Sequence, residues 1–422
     1  MPKGQTSAHP GLKGKPLKRS LSIQLPAFIA TRSVINTMIR MVYPFLPIFG
    51  RGLGVDLRML SFGITIRSAS GVFGPILASI GDTRGRKAGM LFGVGLLTVG
   101  AGIVALWPGY PTFVISLVLG IMANFVFTPS MQAFVGDRVP YERRGLVLGL
   151  TELGWSLAFI IGVPLAGLLI ARSGWNAPFP WLAGLGLLAM LGLALLLPHD
   201  RPGPTNKSNL WANLRIVLGY WPALAGILLC VSMAASNELV NLTFGTWLEG
   251  AFQVKIAALA AASMVIGASE LSGEMLVSGL VDRLGKRRAV IIGLTLNGLV
   301  VLALPLIGRT LTGALVGLFL IYLTYEFTVV SNLTLMTEVV PHARAMFMSI
   351  VISATAIGRA IGALIVPFLF GAGSLAGSQT NLIPVVLTGA FLNVAAVLSL
   401  QAVKIAPSGE EIPSPIRATS DQ

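Results

Sequence analysis

Long apolar runs decide what this chain can be. From about residue 22 to residue 403, stretches of roughly twenty residues with few charges follow one another, separated by short polar or Gly/Pro-rich breaks. A helix rises about 1.5 Å per residue, so such a stretch crosses the ~30 Å hydrocarbon core of a bilayer. Barrel strands would be shorter and would alternate polar with apolar side chains, which these runs do not. In lipid every backbone polar group must be satisfied internally, and helices do this within one segment. Charged residues make up only 11% of the 422 residues, against about a quarter in soluble chains. The fold class implied is an all-α membrane protein.

Polar breaks divide the chain into twelve spans, at roughly 22–48, 59–80, 88–107, 111–135, 145–171, 178–197, 216–247, 256–280, 289–308, 311–336, 345–370 and 382–403. The longest internal break, from Pro198 through Asn209, is polar and Pro/Gly-rich and reads as a linker. The expected organisation is a disordered basic arm (1–20), a six-helix bundle (21–197), a linker (198–215), a second six-helix bundle (216–404) and a tail (405–422). The arm has the charge order of a signal peptide, but the apolar run after it is too long and lacks a small-x-small cleavage site. The formal net charge of +14 comes from bases in short loops and tails, a topology signal rather than a nucleic-acid stripe. Lys3, Lys13, Lys15, Lys18, Arg19 and the even-numbered loops fall on one side; Arg51, Arg58, Arg172, Lys255 and Arg309 fall on the other. The positive-inside rule then puts both termini in the cytoplasm.

The chain repeats itself. Gly81-Asp82-Thr83-Arg84-Gly85-Arg86-Lys87 lies between spans two and three, and Val281-Asp282-Arg283-Leu284-Gly285-Lys286-Arg287 between spans eight and nine, an offset of 200 residues. After spans four and ten, Asp137 and Arg143 match Glu338 and Arg344, and Asn36 in span one matches Asn237 in span seven. An even number of spans separates the copies, so they enter the membrane in the same orientation. The halves are then parallel bundles related by an axis along the membrane normal.

These loops resemble the signature of the major facilitator superfamily, a Gly followed by Asp-Arg-x-Gly-Arg-Arg or Lys. Thr83 stands where the family has its first Arg, while Asp82, Gly85, Arg86 and Lys87 match. The resemblance covers essentially the whole chain and implies twelve helices in two pseudo-symmetric bundles, working by alternating access. Gly85 and Gly285 suit a left-handed turn. By the resemblance Asp82, Gly85, Arg86, Asp137, Arg143, Asp282, Gly285, Glu338 and Arg344 form a cytoplasmic gate, with Asp82 approaching the start of span eleven and Asp282 that of span five when the protein faces outward. Lys87 and Arg287 read as solvated topology charges.

Nine ionisable residues fall inside the apolar runs: Arg32, Arg40, Arg67, Glu152, Glu238, Glu270, Glu274, Glu326 and Arg359. Each charge costs about 2.5–3.5 kcal/mol at mid-membrane, so nine facing lipid would cost roughly 20–30 kcal/mol, more than the net stability of a domain. An internal polar pathway follows. In the superfamily spans one, four, seven and ten line the cavity. The expected substrate-cavity residues are Arg32, Asn36, Arg40 and Tyr43 on one face of span one, Asn124 and Gln132 on span four, Glu238 and Asn241 on span seven, and Tyr322, Tyr325 and Glu326 on span ten. Glu238 and Glu326 are the expected proton-coupling acids, since a desolvated Glu can hold a proton and an approaching Arg release it. The alternative is a permanent ion pair of either with Arg40 or Arg32. Glu270 and Arg359 lie at similar depth and read as an ion pair, while Glu152 and Glu274 are placed to share a proton if they face each other.

Span five carries Gly162-Val163-Pro164-Leu165-Ala166-Gly167, a partial match to the pattern of family proton antiporters. Peptide-porter and sugar-porter signatures are missing, which leaves a likeness to drug and metabolite exporters. No phosphate-cradling loop and no histidine pair at metal spacing occurs, so no enzyme, cofactor or metal site is expected. Cys230, in an apolar span, reads as a small buried hydrophobe. The expected function is proton-coupled efflux of a drug-like or metabolite solute across the cytoplasmic membrane, by an antiporter. The alternatives are an importer of a polar or anionic metabolite, or a non-transporting sensor or scaffold. The expected partners are a small-molecule substrate, protons and the lipid bilayer, with no nucleic acid, acting on a monomeric chain. Fusing a fluorescent reporter that folds only in the cytoplasm to the C-terminus is expected to give fluorescent cells, and dark cells with normal expression would reverse the topology.

Overall fold

The computed structural model describes residues 19–198, 210–371 and 382–404. The arm before residue 19, the linker core and the tail lie outside the described residues, as does the side chain of Asp282. The described chain is almost wholly helical and contains no strand.

Span one is broken: α1 (Arg19–Arg40) ends, residues 41–45 turn, and α2 (Leu46–Leu53) follows. A continuous helix over 22–48 was the expectation, and Pro44 and Pro47 explain the difference. Proline drives the residue before it out of the α region, and Tyr43 precedes Pro44. Span two is α3 (Leu57–Ala69), a tight turn over Ser70–Phe73, and α4 (Gly74–Arg84); spans three and four are α5 (Arg86–Leu106) and α6 (Tyr110–Arg138). Span five is α7 (Tyr141–Leu157), a π turn over Ala158–Gly162, and α8 (Val163–Ser173), and span six is α9 (Pro178–Leu196). The wide turn lies just before Pro164, which has no N–H to give its helix. A short helix α10 (Leu210–Gly219) leads into α11 (Trp221–Phe252), α12 (Ile256–Leu284), α13 (Lys286–Ile307), α14 (Leu311–Met336), α15 (Arg344–Phe370) and α16 (Leu382–Ala402), spans seven to twelve. Eleven segments among the described residues are long and apolar enough to cross a membrane. The exception is α1, whose mean hydropathy is held down by residues such as Arg32, Asn36 and Arg40.

The repeated loops share one face of the molecule, the motif face. Gly85 and Gly285 have φ of 96° and 81° with ψ of 150° and 140°. The positive φ was expected, but the ψ lies outside the left-handed helical region, in a corner that essentially only glycine enters. Arg86 bonds Asp82 and its Nε lies 3.6 Å from Asp137; the related Lys286 bonds Glu338. These contacts stay within one half each, so here Asp82 lies in a pair with its own loop rather than on span eleven. Lys87 and Arg287 do more than mark topology. Lys87 donates to the carbonyls of Ala194 and Leu197 at the end of α9, and Arg287 to those of Leu400, Gln401 and Val403 at the end of α16. Orphan carbonyls and the negative end of the helix dipole favour a cation there.

The halves meet toward the opposite, far face. α3 packs on α15, α8 and the π turn pack on α12, and α2 packs on α11. Arg51 donates both Nη atoms to Glu249, at 2.8 and 2.7 Å, across the mouth of that face. Behind this pair Gly245 is pressed on the backbone of Tyr43 and Pro44, where an added Cβ would stand 2.6 Å from both carbonyl oxygens. Overpacking of this kind costs about 1–3 kcal/mol. Gly245→Val is therefore expected to spread the far face. In a chain with Cys230 replaced by Ser, a thiol at Thr246, fully buried in this structure, should label several-fold faster from that face, and unchanged labelling would contradict the tight seam.

Candidate functional site

A cavity of about 350 Å³ lies between the halves, in the range of small-molecule sites. Its wall is drawn from Arg40 and Tyr43 (span one), Arg67 (span two), Asn124 (four), Glu152, Trp155 and Phe159 (five), Asn241 (seven), Glu270 and Glu274 (eight), Tyr322, Tyr325 and Glu326 (ten) and Arg359 (eleven). It opens toward the motif face. Leu333 and Ile352 on its wall are 46% and 44% exposed, whereas Tyr43 and Arg67 at its floor are 5% and 2% exposed.

Glu238 lies behind the floor, fully buried. Arg359 Nη1 donates to it at 2.9 Å, the Tyr43 hydroxyl at 2.9 Å and Asn241 Nδ2 at 3.1 Å, and Arg67 Nη2 stands 3.5 Å away. Arg67 also donates to the Tyr43 hydroxyl, and the Tyr322 hydroxyl donates to Asn241. One carboxylate thus ties spans one, two, seven and eleven, with donors from both halves. A buried charge is tolerable only when matched and hydrogen-bonded in this way.

Arg40 forms the second tie. It bonds Glu270 on span eight, donates to the Trp155 carbonyl at 3.1 Å, and stacks on Phe159 and Trp155 at 3.6 and 4.2 Å from the ring centres. The aromatic faces add a cation–π contribution to a desolvated guanidinium.

The expected site residues divide. Arg40, Tyr43, Asn124, Asn241, Tyr322, Tyr325 and Glu326 line the cavity. Arg32, Asn36 and Gln132 do not: Arg32 bonds Glu152 at 2.6 Å and the Thr151 carbonyl, Asn36 the Gly154 carbonyl, and Gln132 Glu152 at 3.3 Å. The face of α1 that carries Arg32, Asn36 and Arg40 is turned onto span five, and Tyr43, beyond the helix end, leaves that face. Glu238 sits beneath the wall, with Arg67 and Arg359 in place of the anticipated Arg40 or Arg32. The expected Glu270–Arg359 pair is replaced by Glu270–Arg40 and Glu238–Arg359. Arg67, Trp155, Phe159, Glu270, Glu274 and Arg359 belong to the wall although spans two, five, eight and eleven were not expected to line it. For Arg67, Glu270, Glu274 and Arg359 the signal available was a charge inside an apolar run; Trp155 and Phe159 left none.

The sequence matches the Major Facilitator Superfamily over residues 29–363 and 226–414. The chain belongs to this superfamily, whose members are membrane transporters. It is similar to the uncharacterised MFS-type transporter YceJ of Bacillus subtilis, 24% identical over 357 residues that cover 84% of this chain and 91% of that one. A multi-drug resistance efflux pump PmrA homolog of Lactococcus lactis is 24% identical over 287 residues, covering 65% and 70%. The crystal structure of a bacterial homolog to the human lysosomal transporter Spinster, inward-facing and unoccupied, superposes with a TM-score of 0.73 at 15% identity over 93% of this chain and all of that one.

Removing one partner of a buried ion pair costs roughly 3–5 kcal/mol, because the other charge is left unmatched. Losing one hydrogen bond to a charged group costs about 1.5–3 kcal/mol. Glu238→Gln is accordingly expected to lower the melting temperature of the purified protein more than Tyr43→Phe does, and the reverse order would remove Glu238 from the centre of the network.

Proposed function

We propose that this chain is a secondary active transporter that exports a drug-like or metabolite solute in exchange for protons, across the cytoplasmic membrane. The observation that carries this reading is the pair of acids on the cavity wall. Among the described residues neither Glu274 nor Glu326 makes a hydrogen bond or an ion pair. Glu152, Glu238 and Glu270 all have arginine partners. An acid without a cation in a cavity reached from one face is free to bind a proton in one state and a solute in the other. Both acids sit on the cavity wall, on spans eight and ten, together with Glu152 and Glu270.

Coupling is therefore assigned to Glu326 together with Glu274. Glu238, first paired with Glu326 for this task, has both oxygens engaged and fits the permanent ion pair better. Export is favoured by the likeness to the Lactococcus efflux pump homolog. An importer of anions would draw on Arg40, whose charge Glu270 already matches. The sequence has no phosphate-cradling loop, so the drive is assigned to an ion gradient, and the two unpaired acids make protons the ion.

Proteoliposomes screened against a solute library under an imposed pH gradient test the reading. The wild-type protein is expected to drive at least one solute against its gradient. Glu326→Gln and Glu274→Gln should each retain solute exchange while losing at least tenfold of the pH-driven component. Full pH-driven transport in both variants would discard the assignment, and absence of flux for every solute would discard transport of this kind.

A further inference from the structure

The charges of the cavity do not cancel locally. In the wall and directly behind it stand four arginines (Arg32, Arg40, Arg67, Arg359) and five glutamates (Glu152, Glu238, Glu270, Glu274, Glu326), Arg32 and Glu238 being the two behind it. Arg32 pairs with Glu152 and Arg40 with Glu270. What remains is lopsided. Glu238 alone serves both Arg67 and Arg359 at spans two and eleven, while Glu274 and Glu326 have no cation at spans eight and ten. One wall thus carries a surplus of positive charge and the other a surplus of negative charge.

Arg359 is the part of the positive surplus that a solute can reach. It lines the cavity, its side chain is 25% exposed, and its one hydrogen bond runs from Nη1 to Glu238. A guanidinium has five N–H donors in a planar fork suited to carboxylate or phosphate oxygens, so most of this fork is unspent. Arg67, by contrast, is 2% exposed and held by Tyr43 and the Ile39 carbonyl. Further wall groups lack partners among the protein atoms: Asn237 Nδ2 and Asn332 Oδ1, on side chains 4% and 3% exposed. The wall also carries Trp155, Phe159 and Phe125, an apolar and aromatic surface.

We infer that the solute is a zwitterion: an amine that docks at Glu274 and Glu326, an anionic group that docks on Arg359, and an apolar body between them. A simple cation would leave the Arg359 fork unanswered, and a simple anion would meet two bare carboxylates. Desolvated charges left without a partner are costly. A solute bearing both signs answers each wall at once. This inference rests on the transport reading above and deepens it, because the amine and the proton then compete for the same acids.

The test uses matched triads built on one apolar body: phenylalanine, 2-phenylethylamine and 3-phenylpropionate, with aliphatic and indole-bearing triads beside them. Uptake and exchange are measured in proteoliposomes of the full chain, and binding by thermal shift of the purified protein. In at least one triad the zwitterion should move at least tenfold faster than its amine and its acid. Arg359→Gln should erase the preference for the zwitterion over the amine, Arg359→Lys should restore it, and Glu326→Gln, in the exchange it retains, should erase the preference for the zwitterion over the acid. An amine or acid handled as well as its zwitterion in every transported triad would overturn the inference, and so would a preference that survives Arg359→Gln. If no triad member binds or moves while another solute of the library is transported, the zwitterion is wrong and the transporter stands. If no solute moves at all, the transport reading itself fails.

Discussion

A carboxylate in the middle of a membrane protein is stable only where its neighbours answer it, and Glu238 has four that do. Tyr43, Arg67, Asn241 and Arg359 come from spans one, two, seven and eleven, so satisfying this charge requires the two halves to stand together at the floor of the cavity. The Arg40–Glu270 tie does the same for spans one and eight. Separating such a buried pair leaves an unmatched charge at a cost of about 3–5 kcal/mol, whereas the Arg51–Glu249 pair at the surface contributes about 0–1 kcal/mol. The buried ties therefore set the position of the halves, and the surface pair finishes the closure. Any motion that opens the far face has to give the two arginines and Glu238 new partners, or water.

The helix irregularities place these groups. Pro44 and Pro47 end α1 early and put Tyr43 in a turn, where its hydroxyl reaches Glu238 instead of following Arg40. Phe159, on which Arg40 stacks, lies within the π turn before Pro164. Local rules of proline chemistry, read along the chain, thus become the geometry of the site.

Much of the architecture was legible in the sequence, for a simple reason. Hydrocarbon thickness fixes span length, and the repeated Asp-x-x-Gly-base loops fix the parallel relation of the halves. Gly85 and Gly285 announced their positive φ because few other residues enter that region. The charge partners were less legible. Depth along a helix can be counted, but rotation about its axis cannot, and Glu270 chose Arg40 over Arg359 on that second coordinate. Counting also assumed that span one runs straight through Pro44. The roles of Lys87 and Arg287 were hidden for a related reason: their partners are carbonyls, which leave no mark in the sequence. The cavity wall was read too narrowly, since the charges on spans two, five, eight and eleven announced polar surroundings as plainly as those on span one.

The seam between the halves is smooth. Gly71 meets Ala356, Gly167 meets Ala260, Gly245 meets the backbone of Tyr43 and Pro44, and Gly267 meets Phe159, Ile160 and the Ser156 carbonyl. At each of these places at least one surface has no side chain to interdigitate with the other. Knobs seated in holes resist both sliding and lifting, whereas a bare glycine track resists only closer approach. At these glycines the halves are in contact as a shaft is with its bearing: held to a fixed distance and aligned by the few charges at the floor, with little side-chain interlock there to oppose a tilt.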